Sequence, residues 1–295
     1  MADDLDFSSP ASGPKPAPAP SAPAAALVPV YIPAIARAFF ESVGKEVAMA
    51  PGTVFFAENE KAGFLRRDKM YLLLEGQVGL AAKGKAIGAV KVGEIFGEMA
   101  AMTDSARSAT AVAKTQCRVM SLDDKQFNNA LQKKPEFALM MMSVMINRLR
   151  SMIAGQSGLP NAATAKESPR VFDKTLLASL AQGLGEQATT RYDKGKIIMV
   201  AGQTGALMYV VLEGRVAISI RGAVVQYVGP GGVFGEMALV DQSPRTANAT
   251  AETDCSLLGI NRHVFLNLIK SDPTFGASLL TAVAERVRNT AAGLN

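Results

Sequence analysis

The sequence is poor in the residue types that catalysis and metal binding usually need. Among 295 residues it has no tryptophan, one histidine (His263) and two cysteines, Cys117 and Cys255. Structural zinc sites take four Cys or His ligands, and general acid–base catalysis relies most often on histidine. The sequence therefore predicts neither a metal site nor a catalytic residue, and we expect a protein that is not an enzyme.

Long apolar runs and a strong net charge are absent as well. No stretch approaches the ~18 uncharged apolar residues of a membrane-spanning helix. The acidic residues 1–6 do not fit the basic start of a secretory signal. We therefore expect a cytoplasmic protein without a membrane partner. The 31 basic and 26 acidic residues leave a net charge of +5, which permits an anionic ligand but is too weak to indicate nucleic-acid binding.

What is present is a globular composition, with 48% hydrophobic and 19% charged residues. The length favours about two domains. Residues 8–29 are the exception, because they consist mostly of Pro, Ala and Ser. We interpret residues 1–31 as a disordered or extended tail, either a docking arm or a plain solvated segment.

The remaining sequence contains one unit twice. FGEMAAMTDSARSATAVA (96–113) aligns with FGEMALVDQSPRTANATA (234–251), with 10 of 18 positions identical at an offset of 138 residues. The same offset aligns Cys117 with Cys255, so we expect the two thiols to lie in separate cores as buried, reduced side chains. Upstream the offset is 143, which predicts five extra residues near 61–67 in the first copy. Such a register indicates two copies of one fold.

Each copy shows the same order of predicted elements. A short helical lead-in (32–44 and 171–184) precedes short strands separated by glycines, and helical sequence broken near Pro135 and Pro273 ends each copy. This pattern predicts a mainly β fold, two jelly-roll β-barrels each followed by closing helices. The expected domains are 32–154 and 169–295, joined by a linker at 155–168.

The repeated motif carries the chemistry. After a strand, Gly97 or Gly235 allows close approach of a ligand to the backbone. A helical turn begins there, and an arginine nine residues after the glutamate can return to the same anion with a bidentate fork. The glutamate can accept a hydroxyl hydrogen bond, so the motif predicts a site for a phosphorylated sugar. The alternative is a pair of internal salt bridges, Glu98–Arg107 and Glu236–Arg245, that only brace the fold.

FGEMALVDQSPRTANATAETDC resembles the phosphate-binding cassette of cyclic nucleotide-binding domains, as found in the bacterial catabolite activator protein and in regulatory regions of protein kinases A and G. The resemblance covers nearly the whole chain from about residue 32, once per copy. It implies that the second copy contacts ribose and phosphate through Gly235, Glu236, Met237, Ala238, Arg245 and Thr246. Glu236 would hold the ribose 2′-hydroxyl, Arg245 the cyclic phosphate, and Thr246 would lie near phosphate and base. The matching residues of the first copy are Gly97, Glu98, Met99, Ala100, Arg107 and Ser108.

The resemblance implies a receptor that binds cyclic AMP, or alternatively cyclic GMP, and regulates an effector protein that the sequence does not identify. The first copy has Ala106 where the second has Pro244, which removes no ligand group, so we expect both sites to bind. A scaffold with degenerate sites and a DNA-binding regulator are the alternatives. Intact Glu and Arg in both copies argue against the scaffold. The lack of a helix-turn-helix after the second copy argues against sequence-specific DNA binding.

The closing helices leave two questions open. Met140, Met141, Met142 and Met145 predict either core packing or an adaptable partner surface. The apolar stripe Leu279, Leu280, Val283 and Val287 could pack on its own barrel or pair with a second chain, which would make a homo-oligomer.

Overall fold

We describe residues 31–61, 68–103, 105–154, 165–240 and 244–292 in a computed structural model of the chain. Residues 1–30 of the tail, residues 62–67 of the insertion and residues 155–164 of the linker lie outside this description, so the predictions made for them stay predictions.

Each copy contains two antiparallel sheets, as a jelly roll requires. The strands of the first copy are β1 (Lys45–Met49), β2 (Val54–Phe56), β3 (Lys69–Glu75), β4 (Val78–Ala82), β5 (Lys85–Val90), β6 (Ile95–Phe96), β7 (Thr110–Ala113) and β8 (Cys117–Asp123). They form sheets in the orders β1-β8-β3-β6 and β2-β7-β4-β5. The predicted fold class is confirmed in this copy.

The second copy repeats this arrangement and adds one strand. Its strands are β9 (Lys166–Glu167), β10 (Thr189–Tyr192), β11 (Ile197–Met199), β12 (Met208–Glu213), β13 (Val216–Ile220), β14 (Ala223–Val228), β15 (Val233–Phe234), β16 (Asn248–Ala251) and β17 (Cys255–Ile260). The sheet orders are β10-β17-β12-β15 and β11-β16-β13-β14-β9. The short β9 pairs in parallel with β14, so residues 166 and 167 of the predicted linker belong to a sheet.

Eight α-helices surround the described strands. They are α1 (Pro33–Glu41), α2 (Glu98–Thr103), α3 (Asp124–Lys133), α4 (Glu136–Ala154), α5 (Lys174–Leu184), α6 (Met237–Val240), α7 (Arg262–Ser271) and α8 (Pro273–Ala292). The side chain of Asp123 accepts a hydrogen bond from the Gln126 amide and caps α3, and Asn261 caps α7 in the same way through Val264. The predicted breaks near Pro135 and Pro273 are confirmed.

The apolar runs MYLLL and MYVVL are continuous because both faces of β3 and β12 are buried. Along β3, Tyr71 and Leu73 point into the core between the two sheets, whereas Met70 and Leu72 point into a helical core. Successive side chains of a strand point to opposite faces, so a strand buried on both sides needs apolar residues at every position. β12 divides its side chains in the same way.

The helical core is shared by the two copies. One contiguous cluster contains residues of α1, α3, α4, α7 and α8 together with the outer faces of β3 and β12. The four methionines at 140–142 and 145 are buried in it. The stripe at 279, 280, 283 and 287 is buried there too, and α8 packs along α4 of the first copy. The stripe therefore meets neither its own barrel alone nor a second chain, but the other copy.

The two cysteines are free and buried, as expected. Cys117 lies between the sheets of the first copy and Cys255 between those of the second. Each thiol donates to backbone carbonyls, for example that of Gln77 at 3.4 Å from Cys117 Sγ and that of Arg215 at 3.2 Å from Cys255 Sγ. The two sulfurs thus occupy equivalent sites in separate cores.

Two glycines in the second copy allow a matched test of turn packing. Gly214 and Gly222 have nearly equal positive φ angles of +84° and +83°. A Cβ at Gly214 would overlap the Asp254 carbonyl oxygen, whereas a Cβ at Gly222 would meet no atom within 4 Å. We expect Gly222→Ala to cost only the left-handed strain, ~1–2 kcal/mol. Gly214→Ala should cost about 1–3 kcal/mol more, because the backbone must move. Urea unfolding measures both, and equal losses would contradict the packing argument.

Candidate functional site

The second cassette is built around a glycine that must be glycine. Gly235 follows β15 with a φ of +73°, and a Cβ there would lie 2.8 Å from Nη1 of Arg245. That nitrogen donates to the Gly235 carbonyl at 3.0 Å, and Nη2 donates to the Leu207 carbonyl at 2.7 Å. The guanidinium is therefore fixed by two backbone carbonyls, and its other N–H groups are left to donate elsewhere.

No carboxylate among the described residues lies within ion-pair distance of Arg245. Burial lowers the pKa of this guanidinium, while Tyr209 and Glu236 act in the opposite direction. A guanidinium stays charged in a protein despite such a shift. The second cassette thus presents a fixed, partly desolvated positive charge that can accept an anionic partner.

The charge lines a cavity of about 570 Å³, which includes solvent at its mouth. Small-molecule sites usually enclose about 300–1,000 Å³. The wall combines one amide, one exposed hydroxyl, a carboxylate and apolar side chains, which are Gln226, Thr246, Glu236, Met199, Ile218 and Met237. Such a wall suits a ligand with an anionic end and a flat apolar body.

Glu236 is buried, with 6% of its surface exposed, and it has a partner that the sequence analysis missed. Arg286 of α8 reaches the cavity, and its Nη1 lies 2.6 Å from Oε1 of Glu236. Its Nη2 donates to the Val233 carbonyl at 3.1 Å. The closing helix is therefore bonded directly to the cassette. The proposed Glu236–Arg245 brace is wrong, because Glu236 pairs with Arg286 instead.

The first cassette repeats the backbone geometry. Gly97 has a φ of +74°, and Arg107 donates to the carbonyls of Gly97 and Lys69 at 2.6 and 2.9 Å. These acceptors lie 10 and 38 residues from the arginine, as in the second copy. The conserved spacing shows that both motifs fold in the same way.

The surroundings of the first arginine differ. Nη2 of Arg107 lies 2.8 Å from Oδ1 of Asp68, and the guanidinium stacks over Phe56 at 4.3 Å from the ring centre. Arg107 is only 5% exposed. At the offset of 138 residues, Asp68 corresponds to Ala206, which has no carboxylate. Asp68 therefore neutralises the first arginine in a way that the second copy does not reproduce, and the proposed Glu98–Arg107 brace gives way to Asp68–Arg107.

The first glutamate is in a less favourable environment than the second. Burial raises the pKa of Glu98, and the positive charges of Arg148 and Arg107 offset this rise only in part. Arg148 of α4 is the repeat equivalent of Arg286, 50 residues after its glutamate. The offset of 138 residues could have revealed both arginines from the sequence.

The other predicted residues lie where the motif places them. Met99 and Ala100 belong to α2, Met237 and Ala238 belong to α6, and Ser108 is exposed beside Arg107 as Thr246 is beside Arg245. The Thr246 hydroxyl lies 3.8 Å from Sδ of Met237, at the mouth of the cavity.

The profile of the cyclic nucleotide-binding domain family matches residues 46–134 and 189–272, which is more than half of the chain. The chain belongs to the cyclic nucleotide-binding domain family. Both matches include a cassette with its Gly, Glu and Arg, so membership applies to each copy of this tandem cyclic nucleotide-binding chain.

Several proteins are similar to this tandem chain. A cAMP-dependent protein kinase regulatory subunit of Eremothecium gossypii is 27% identical over 68% of this chain and 40% of its own length. The cyclic AMP receptor protein of Thermus thermophilus is 34% identical over 33% of this chain and 47% of its own. The solved structure of cAMP-bound PfPKA-R is 21% identical, with 85% of this chain and 81% of that chain covered and a TM-score of 0.33. The chain spans about half the length of the curated relatives it matches.

The described part of the chain contains no cluster of three or more potential metal-binding side chains and no helix long and apolar enough to cross a bilayer.

The two glutamates should respond oppositely to removal of their charge. The raised pKa of Glu98 means that the folded state holds a proton more tightly than the unfolded state. The free energy of unfolding therefore falls as the pH rises from the ordinary glutamate pKa through the raised value. We expect Glu98→Gln to unfold at a higher temperature than the wild type at pH 7, with the difference shrinking toward pH 4.

Glu236→Gln is the matched control, because its carboxylate is paired with Arg286. It should lower stability at pH 7 by about 1 kcal/mol, the value of a hydrogen bond to a charged group. Calorimetric melting of both variants across this pH range makes the comparison, and parallel shifts would contradict the assignment.

Proposed function

We propose that this chain is a non-enzymatic receptor for cyclic nucleotides, with cyclic AMP as the preferred ligand, and that it regulates a partner protein. The observation that carries the proposal is the fixed guanidinium of Arg245 beside the carboxylate of Glu236 on the wall of one cavity. A cyclic phosphate needs the first group, and a ribose hydroxyl needs the second. Family membership of both copies supports the same ligand class.

Each predicted residue has a role in this proposal. Arg245 donates a fork to the phosphate oxygens, in the geometry that guanidinium and phosphate share. Arg286 contacts one oxygen of Glu236, so the other can accept from the ribose 2′-hydroxyl. The backbone at Gly235, Met237 and Ala238 lies against the sugar and phosphate, and Thr246 lies near the phosphate and base.

Binding reaches the rest of the molecule through α8 in this proposal. A nucleotide at Glu236 changes the environment of Arg286, and this arginine connects the cavity to the closing helix. A ligand that binds one position of α8 better than another shifts the helix toward that position. The names of the kinase regulatory subunits among the relatives favour a protein kinase as the effector.

We expect two nucleotides to bind per chain, with the second copy binding more tightly. In the first copy a phosphate must share Arg107 with Asp68, whereas Arg245 has no described carboxylate partner. Calorimetric titration with cyclic AMP and with cyclic GMP counts the sites and ranks the bases. Asp68→Ala, which installs the residue of the second copy, should narrow the difference between the sites. Saturation at one nucleotide would refute the first site, and tighter cyclic GMP would reverse the base assignment.

Removing either arginine should empty one site and leave the other. Loss of one partner of a buried charge pair costs about 2–5 kcal/mol, or roughly 30-fold to several thousand-fold in affinity. Arg245→Leu should therefore nearly abolish binding in the second copy, and Arg107→Leu should do so in the first. Circular dichroism checks that both variants fold. Full affinity in Arg245→Leu would show that this arginine does not hold the phosphate.

Sequence-specific DNA binding is not part of this proposal, although relatives include CRP-like transcriptional regulators. The net charge of +5 supports only weak electrostatic attraction, which salt should abolish. A band-shift assay between 50 and 200 mM salt, roughly the range over which counterion release removes such binding, tests this. A sequence-selective shift that survives at the higher concentration would contradict it.

A further inference from the structure

Equivalent helices of the two copies pack against each other. α3 contacts α7 and α4 contacts α8, and each pair is related by the repeat offset. Nε2 of Gln132 donates to the carbonyl of Lys270 at 3.2 Å, and these two positions are themselves 138 residues apart. A surface meets its own equivalent only across a two-fold axis, since head-to-tail stacking brings different surfaces together. The two copies are therefore related by an internal pseudo-two-fold axis between α4 and α8.

The same axis crosses the closing helices over to the opposite cassettes. α8 of the second copy contacts α2, the cassette helix of the first copy, and α4 of the first copy contacts α6, the cassette helix of the second. The Thr281 hydroxyl of α8 donates to the Met102 carbonyl of α2 at 2.6 Å. Five residues later, Arg286 of the same helix holds Glu236 in the second cavity. One helix thus makes hydrogen bonds to both cassettes.

We propose that Thr281 is a positioning residue for the first site, and that α8 couples the two sites with positive cooperativity. This inference rests on the proposed function, because it concerns the same two sites. A nucleotide that engages Glu236 beside Arg286 orders α8. The ordered helix then holds α2 through Thr281, so the first site has less ordering left to do when its own ligand arrives. Helix α2 carries Glu98, Met99 and Ala100, so its position sets the shape of the first site.

Binding measurements test the coupling through its reciprocity. We expect the first site to bind cyclic AMP about 5- to 150-fold more weakly in Arg245→Leu than in the wild type with its second site filled. Arg107→Leu should weaken the second site by the same factor, because a coupling free energy acts equally in both directions. Equal affinities in the single-site variants and the wild type would overturn the coupling while leaving the proposed function intact.

Thr281 has a close control within the chain. Ser143, its repeat equivalent, donates to the Leu139 carbonyl of its own helix at 2.9 Å. Thr281→Val should reduce the coupling factor toward one, Thr281→Ser should preserve it, and Ser143→Ala should leave it unchanged. An unchanged factor in Thr281→Val would overturn the role of this residue.

Hydrogen–deuterium exchange supplies a readout that needs no nucleotide. Amides of 98–103 should exchange faster in Thr281→Val than in the wild type or in Ser143→Ala, because α2 loses a hydrogen bond from α8. If neither site binds any cyclic nucleotide, the proposed function and the coupling both fail, and this exchange measurement alone decides whether Thr281 positions α2. Identical exchange in all three proteins would overturn the positioning role as well.

Discussion

The cassettes depend on one interaction, the anchoring of an arginine by two backbone carbonyls. In both copies the guanidinium bonds the carbonyl of the cassette glycine and the carbonyl of the residue just before, or at the start of, the central strand. These bonds join the turn after one strand to the start of its neighbour and orient the remaining N–H groups. A glycine with a positive φ is needed because any side chain there would collide with the arginine or its neighbours.

The helical core gives this local geometry a global connection. Because β3 and β12 are buried on both faces, the sheet that carries each cassette also forms the floor of the shared helical core. A displacement at either cassette is therefore transmitted to closely packed side chains, and such interiors transmit strain. The bonds of Arg286 and Thr281 add directional contacts to this packing.

Much of this could be predicted from the sequence, because repetition doubles each weak signal. Short strands between glycines predicted the jelly rolls, and Pro135 and Pro273 marked the helix breaks. The cassette residues followed from FGEMA and its returning arginine. Asp68 was not predicted, since a single acidic residue before a strand carries no periodic signal. The partners of Glu236 and of the stripe at Leu279 were also missed, because both lie in contacts between elements far apart in the chain, which local patterns do not specify.

The internal axis between α4 and α8 has an evolutionary consequence. A symmetric homodimer must carry the same residue at both of its sites, since one gene encodes both. Here two halves with dimer-like packing are encoded separately, so each site can change alone. The chain has already used this freedom: Asp68 faces Ala206 across the repeat, Ala106 faces Pro244, and Gly88 faces Gln226 of the second cavity wall. Fusion keeps the contact surface of a dimer while allowing its two sites to acquire different affinities and different thresholds.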